Sequence, residues 1–138
     1  MATITLDIVT PDRQIVHDEV DEVELPGVEG YFGVLPGHTP LLAQLAVGQM
    51  WYRQGQERHY LAVEFGFAEV LPTKVTVLAQ CAERAEEIDT ERAETARKRA
   101  EGRLAGGVRP DIDAERARIA LMKSLIRLQV ASRARIRS

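Results

Sequence analysis

The feature that most constrains this chain is a change in its residue pattern near residue 82. Before this point short β-prone segments alternate with turns, and after it Ala, Glu and Arg dominate as far as residue 104. Short strands separated by turns are typical of a sandwich or barrel, whereas an Ala-, Glu- and Arg-rich stretch favours helix. The sequence therefore predicts a β-domain over residues 1–84 and a helical part over residues 88–138.

The strand signals in the first part come from alternation and from turn residues. Val20, Val23 and Leu25 lie among the acidic residues of the 19–25 segment, which ends at Pro26-Gly27. Two hairpins are expected further along the chain. The first joins Gln49–Arg53 to His59–Val63 through Gln54-Gly55-Gln56, and the second joins Phe65–Leu71 to Lys74–Ala79 through Pro72-Thr73.

The second part predicts an antiparallel pair of helices. Gly106-Gly107 and Pro110 break the first helical stretch, and a second runs from about Asp113 to Ser132,. Small residues facing leucines favour close packing of the two helices. The expected facing residues are Ala93, Ala96, Ala100 and Leu104 on the first helix, and Ala117, Leu121, Leu125, Leu128 and Ala131 on the second.

Both helices begin with a similar sequence. The segment from Ile88 to Ala93 reads IDTERA, and the segment from Ile112 to Ala117 reads IDAERA. This pattern predicts helix entry, with Asp as the N-cap and the preceding Ile packing on the Ala five residues later.

Charge is distributed unevenly between the two parts. Up to residue 80 there are eleven acids and four bases, a net charge of -7, so the remainder carries +4 of the overall -3. No acid follows Glu115, while seven bases do, and Arg116, Lys123 and Arg127 share one helix face,. Such a face should attract an acidic partner; alternatively, it is solvated. A nucleic-acid partner is disfavoured because the β-domain is acidic and the helices lack aromatic residues.

No residue pattern indicates catalysis. The three histidines, His17, His38 and His59, lack metal-ligand spacing,, and no phosphate-binding loop is present. The single cysteine, Cys81, indicates a reducing compartment. We expect neither a signal peptide nor a membrane-spanning segment, so any membrane association should depend on a partner. A non-catalytic docking protein is predicted.

One segment is distinctive enough to indicate a family. Residues 25–42, LPGVEGYFGVLPGHTPLL, place four glycines and three prolines among apolar residues. This string resembles the hallmark loop of the epsilon subunit of bacterial F-type ATP synthases. The resemblance continues through Gly66–Val70, Val75–Ala79, Ala82-Glu83-Arg84, the Ile88-Asp89 motif and the two-helix ending. The alternative is a β-sandwich adaptor unrelated to ATP synthase.

The resemblance implies both a fold and a place in an assembly. The fold would be an N-terminal β-sandwich of about ten strands followed by a C-terminal antiparallel two-helix hairpin. The chain would be a non-catalytic, peripheral subunit at the cytoplasmic face of the bacterial membrane, contacting the gamma subunit, the c-ring and the alpha/beta head. It would couple rotation to catalysis and restrain ATP hydrolysis. The docking loop would include Glu29, Gly30, Gly33, Pro36, Gly37 and His38, although His38 alternatively serves only as a turn residue.

The resemblance also implies two uses of the hairpin. No cofactor would be required, but regulatory ATP, with or without magnesium, would bind some members. Lys123 departs from the Arg of ATP-binding members and offers a point charge instead of a fork; alternatively, Asp89 is only an N-cap and Arg92 lies in an ion pair. The matching ATP positions are Glu83, Ile88, Asp89, Arg92, Ala93, Arg99, Lys123 and Arg127, and the inhibitory latch to the catalytic subunit would use Arg116, Arg118, Lys123, Arg127 and Arg133.

Overall fold

The chain divides into a β unit and a helical unit, Met1–Arg84 and Ala85–Ser138. The computed structural model describes residues 2–106 and 111–137, with the side chains of residues 2–106 and 114–134. The predicted β-then-α architecture is confirmed. The strands are β1 (Ile4–Val9), β2 (Gln14–Val20), β3 (Glu22–Gly27), β4 (Gly30–Val34), β5 (Leu41–Gln54), β6 (Glu57–Val70) and β7 (Lys74–Arg84).

The described strands number seven, which is fewer than the predicted ten or so, because segments that look separate in the sequence run together. The 14-residue β6 contains two segments that the sequence analysis treats as two strands. Between them, Phe65 has a φ of 50° and the ladders with β5 and β7 both skip this position, but the register is the same on either side, so the strand is irregular at one residue without ending.

The seven strands form one sheet in the order β2-β1-β7-β6-β5-β3-β4. All neighbouring pairs are antiparallel except β1 with β7, which is parallel. Residues of strands at opposite ends of the sheet, such as Val16 on β2 and Val34 on β4, belong to one hydrophobic core. The sheet must therefore fold over on itself, as a sandwich does. Val20, Val23 and Leu25 are buried in this core, as their alternation with acids indicates.

Arg84 is the last residue of β7, and its side chain links this strand to two others. Its Nη1 donates to the Tyr52 hydroxyl at 3.2 Å, and its Nη2 donates to the Ile15 carbonyl at 3.0 Å. One guanidinium therefore connects β7 to β5 and β2 at the end of the first unit.

The helical unit begins with a 3-10 turn (Ala85–Glu87), followed by α1 (Thr90–Ala105) and α2 (Asp111–Arg137). The Asp89 carboxylate accepts a hydrogen bond from the Arg92 backbone N–H at 3.0 Å, so Asp89 is the predicted N-cap of α1,. For α2 the N-cap prediction is wrong, because the helix already includes Asp111 and Asp113 lies in its first turn. Gly107 and Pro110, the predicted helix breakers, lie outside the described residues.

Small residues form the seam between α1 and α2. Ala93 and Ala100 on α1, and Ala117 and Ser124 on α2, are at most 2% exposed. Both pairs are spaced by seven residues, which returns each helix to nearly the same face. Ser124 satisfies its hydroxyl by donating to the Leu121 carbonyl at 2.8 Å,. The prediction that Leu125 faces α1 is wrong. Leu125 is 46% exposed, because it follows the seam residue Ser124 and points about 100° away from the seam,.

Candidate partner and nucleotide surfaces

An apolar patch lies on the outer face of the β unit. Phe67 on β6 is directly opposite Leu78 on β7, and these residues are 52% and 55% exposed. Leu42 on β5, 71% exposed, is opposite Glu69, two residues along from Phe67, and so shares their face,. Exposed large side chains clustered on neighbouring strands are typical of a protein-binding surface.

The predicted docking-loop residues are distributed along β4 and at both of its ends. Glu29 lies in the tight turn between β3 and β4, and Gly30, with a φ of 131°, begins β4. Gly33 lies within the strand, while Pro36, Gly37 and His38 follow its end. The five-residue strand separates the two groups by roughly 13 Å. The structure therefore provides two neighbouring turns and not one compact cluster.

The second of these turns is held against the β6–β7 turn. The Gly37 N–H donates to the Pro72 carbonyl at 2.8 Å, and the positive φ of Gly37, 86°, favours glycine there,. His38 closes the turn through its N–H, which donates to the Leu35 carbonyl at 3.2 Å. Its Nδ1 lies 2.6 Å from the Thr39 carbonyl. These bonds give His38 a structural turn role and leave its docking role a prediction.

The predicted latch residues do not all share one face of α2. At 100° per residue, Lys123 and Arg127 lie within about 20° of Arg116 around the helix,. Arg118 lies on the opposite side, where it pairs with Glu115 at 2.9 Å, and Arg133 is about 100° away from Arg116,. The structure thus brings together three of the five predicted cations.

The predicted nucleotide residues occupy several environments. Ile88 and Ala93 are buried, and the Asp89 carboxylate caps α1. Arg92 and Arg99 are exposed, and Glu83 belongs to the β unit on β7. The cap itself is therefore confirmed for Asp89, while the ion pair of Arg92 and a nucleotide role for these residues stay predictions.

Arg92, Arg99 and Lys123 have the same position relative to the helix seam. Each immediately precedes a buried small residue, namely Ala93, Ala100 and Ser124 respectively. An approximate two-fold axis relates the two helices of an antiparallel pair. Residues at the same offset in sequence from a seam residue therefore lie on the same side of the pair, whichever helix they belong to. We name this side the basic flank; Arg127, four residues after Lys123, continues it.

The opposite flank is acidic. Glu94 and Glu101 immediately follow the seam residues of α1, and both form ion pairs with Arg97. The hydrogen bond from Arg97 lowers the pKa of Glu94. An open groove of about 700 Å³ on this flank is lined by Thr90, Glu91, Glu94, Thr95 and Leu128. Its carboxylates would repel phosphate, so a nucleotide triphosphate fits the basic flank better.

Two other kinds of site are absent from the described residues. Among residues 2–106 and 111–137, no helix has both the length and the apolar character needed to cross a membrane. Within the same described portion, no group of three or more His, Cys, Asp or Glu side chains is arranged to hold a metal ion.

Two protein-family models together match residues 3–132. The β-sandwich domain of the ATP synthase delta/epsilon chain matches residues 3–85, and the long α-helix domain of the same chain matches residues 86–132. The chain belongs to the ATP synthase delta/epsilon family. The resemblance that begins with residues 25–42 is therefore confirmed.

Individual relatives agree with this family. The ATP synthase epsilon chain of Nitratidesulfovibrio vulgaris (strain DP4) is 48% identical over 132 residues, covering 96% of this chain and 98% of that protein. The epsilon chain of Koribacter versatilis is 53% identical over 102 residues, covering 74% of this chain and 72% of the relative. The chain is thus an epsilon-type accessory subunit of ATP synthase and not its catalytic chain.

Solved structures show the same fold. A chain in the cryo-EM structure of Euglena gracilis mitochondrial ATP synthase, containing OSCP, F1 and the c-ring, superposes with a TM-score of 0.80 at 25% identity, covering 99% of this chain and 82% of that one. A chain of the Tetrahymena thermophila central stalk and c-ring structure has a TM-score of 0.67 at 11% identity. The epsilon-type chain therefore shares its fold with chains of two mitochondrial ATP synthase structures.

Sequence reasoning missed the apolar patch. The sequence contained a signal for it, because Leu78 lies between Val77 and Ala79 and so makes the strand apolar on both of its faces. Such a run predicts a strand covered on both faces, and the uncovered face is the one that carries Leu42, Phe67 and Leu78.

Proposed function

We propose that this epsilon-type chain is a rotor subunit that couples rotation to catalysis and restrains ATP hydrolysis through its C-terminal hairpin. It would act at the cytoplasmic face of the bacterial membrane, as a peripheral member of the complex. The observation that carries the proposal is that the chain has both an exposed apolar patch on the β unit and a basic flank on the helical unit. Family membership provides the setting for both surfaces.

The β unit is proposed as the fixed anchor. The patch of Leu42, Phe67 and Leu78 is apolar and lies on three adjacent strands, which suits a permanent protein interface such as that with gamma,. The turns containing Glu29 and His38 would meet the c-ring. The Phe67→Ser variant should lower retention of the chain on the complex by roughly tenfold.

The helical unit is proposed as the inhibitory element. Arg116, Lys123 and Arg127 lie on one face of α2 and would pair with an acidic segment of a catalytic subunit,. Replacing all three with alanine should raise the ATP hydrolysis rate of the purified complex several-fold, because the charge complementarity would be lost.

A second variant makes the latch experiment specific. Arg118→Ala with Arg133→Ala removes two cations that lie on other faces of α2, and we expect a clearly smaller rise in hydrolysis. Equal rates for the two variants would show that net charge, and not this face, restrains the enzyme. No change in either variant, with the chain still bound to the complex, would refute the latch.

Regulatory ATP is proposed to bind the basic flank, where Arg92, Arg99, Lys123 and Arg127 offer cations to the phosphates,. Isothermal titration calorimetry of the isolated chain, with and without magnesium, tests this directly. Lys123→Arg should tighten binding because a guanidinium makes two parallel bonds to phosphate. Absence of heat at millimolar ATP for both proteins would refute nucleotide binding without affecting the latch proposal.

A further inference from the structure

The basic flank contains more cations than a nucleotide triphosphate needs. Arg92, Arg99 and Arg103 on α1 are separated by seven and then four residues. Arg116, Lys123 and Arg127 on α2 have the same two separations. Seven and four residues each return a helix to within about 40° of the starting direction, so each set of three forms a straight row.

The two rows lie side by side. Arg116 immediately precedes the seam residue Ala117, just as Arg92 precedes Ala93, so both rows have the same offset from the seam. Because the helices are antiparallel, this offset places all six cations on the basic flank. Each row spans eleven residues, a length of about 16 Å at the rise of an α-helix.

The acids whose side chains the structure describes on α1 and α2, Glu91, Glu94, Glu101 and Glu115, lie elsewhere. Glu94 and Glu101 are on the opposite flank with Arg97. Glu91 and Glu115 each lie two residues before a seam residue, which places them on the outer backs of the helices,. Among the acids whose side chains are described on α1 and α2, none therefore shares the basic flank with its six cations,.

One end of this flank is separate from the proposed nucleotide site. Arg103 lies near the end of α1 and Arg116 near the start of α2, so both lie at the loop end of the hairpin. Arg99 is one helical turn from Arg103, and all three side chains are exposed. Arg92 and Arg127 lie at the far end of their rows, and a triphosphate bound between them would leave Arg103 and Arg116 without phosphate.

We propose that Arg103 and Arg116 form a second anion subsite next to the nucleotide cations, and that the basic flank binds a linear polyphosphate chain along both subsites. Charge complementarity selects this ligand, because two parallel rows of cations match a thin polymer with a negative charge on every unit. Guanidinium groups are also well suited to phosphate oxygens. The proposal extends the nucleotide site proposed above but does not require that ATP itself binds.

Equilibrium binding to the full chain tests the proposal with two probes, sodium tripolyphosphate and size-fractionated medium-chain polyphosphate. The Arg103→Gln/Arg116→Gln variant should lose roughly tenfold in affinity for the long chain and keep its affinity for tripolyphosphate, since each lost contact is charge-assisted. The dependence of long-chain affinity on salt should also become shallower, because fewer cations are engaged. Arg92→Gln/Arg127→Gln should weaken the binding of both probes.

The matched control is Lys98→Gln/Arg118→Gln, which removes the same charge from the same two helices but away from the basic flank. It should bind both probes as the unmodified chain does. The proposal is overturned if this control and Arg103→Gln/Arg116→Gln lose equal affinity for the long chain. It is also overturned if a single-stranded oligonucleotide or an acidic peptide of equal charge binds as tightly as polyphosphate. Failure of ATP binding alone, with long-chain binding intact, would refute only the nucleotide proposal.

Discussion

At the scale of single residues, Asp7 shows how a carboxylate is accommodated within the β unit. Its side chain is 12% exposed, and Gln14 Nε2 donates to its Oδ1 at 3.1 Å. His17 Nδ1 contacts the same oxygen, and Lys74 Nζ lies 3.6 Å from Oδ2. The hydrogen bond from His17 is the main cause that lowers the pKa of Asp7, with the charges of His17 and Lys74 acting in the same direction against burial.

This arrangement predicts a pH-dependent contribution to stability. Because folding lowers the pKa of Asp7, its contribution is present above the unfolded-state value and is lost as pH falls through the lower folded value. Asp7→Asn should reduce the free energy of unfolding by about 1–2 kcal/mol at neutral pH, and the deficit should shrink in acid. Urea unfolding of both proteins, measured from neutral pH down to pH values below the pKa of Asp7, gives this deficit. The exposed residue Asp12 provides the control variant, Asp12→Asn. A deficit that is constant with pH would contradict the prediction.

At the scale of elements, the irregular point of β6 at Phe65-Gly66 is where the sheet depends on one small residue. A Cβ added to Gly66 would meet the Leu78 carbonyl and would lie 2.8 Å from the Ala79 Cα, both of which are backbone atoms that cannot rotate away. Gly66→Ala should therefore destabilise the β unit by about 1–3 kcal/mol. Gly33→Ala is the comparison, because a Cβ there meets only the Val23 carbonyl at 4.0 Å. Thermal unfolding of both variants, followed by circular dichroism, measures the difference in stability, and equal melting temperatures would contradict the prediction.

The same elements show how far the sequence alone can predict this structure. Alternation and turn residues correctly predict a β unit, and the Asp89 cap correctly predicts the start of α1. Strand continuity is not predictable locally, because Phe65-Gly66 resembles a turn until β5 and β7 pair on either side of it. The helix seam is predicted in part: Ala93, Ala100 and Ala117 are buried as expected. Ser124 is missed, because it packs there by its small size while the more hydrophobic Leu125 is left outside,.

For the candidate surfaces, the sequence identifies residue types better than it identifies groupings. The basic character of α2 and the shared face of Arg116, Lys123 and Arg127 are both predicted from the sequence, and the helix bounds place all three in one continuous helix. The apolar patch depends on strand register, because Phe67 and Leu78 become neighbours only through the pairing of β6 with β7.

At the scale of the whole molecule, the two units differ in net charge and so should respond differently to salt. Met1–Arg84 has twelve acids and five bases, a net charge of -7, and Ala85–Ser138 has nine acids and thirteen bases, a net charge of +4. An anchor that depends on an apolar patch should persist at high ionic strength. A latch that depends on exposed cations should weaken, because the Debye length falls from about 10 Å at about 0.1 M salt to about 3 Å at about 1 M.

The resulting prediction concerns the inhibition ratio of the complex, defined as the hydrolysis rate with a chain truncated at residue 87 divided by the rate with the full chain. The truncated complex corrects at each salt concentration for effects on the catalytic head itself. We expect the ratio to fall toward one as salt rises, while the full chain remains bound in a pull-down of the complex. A ratio that stays constant with the chain retained would mean that inhibition depends on apolar contacts, such as those offered by exposed Met122 and Leu125 on α2, and not on its cations.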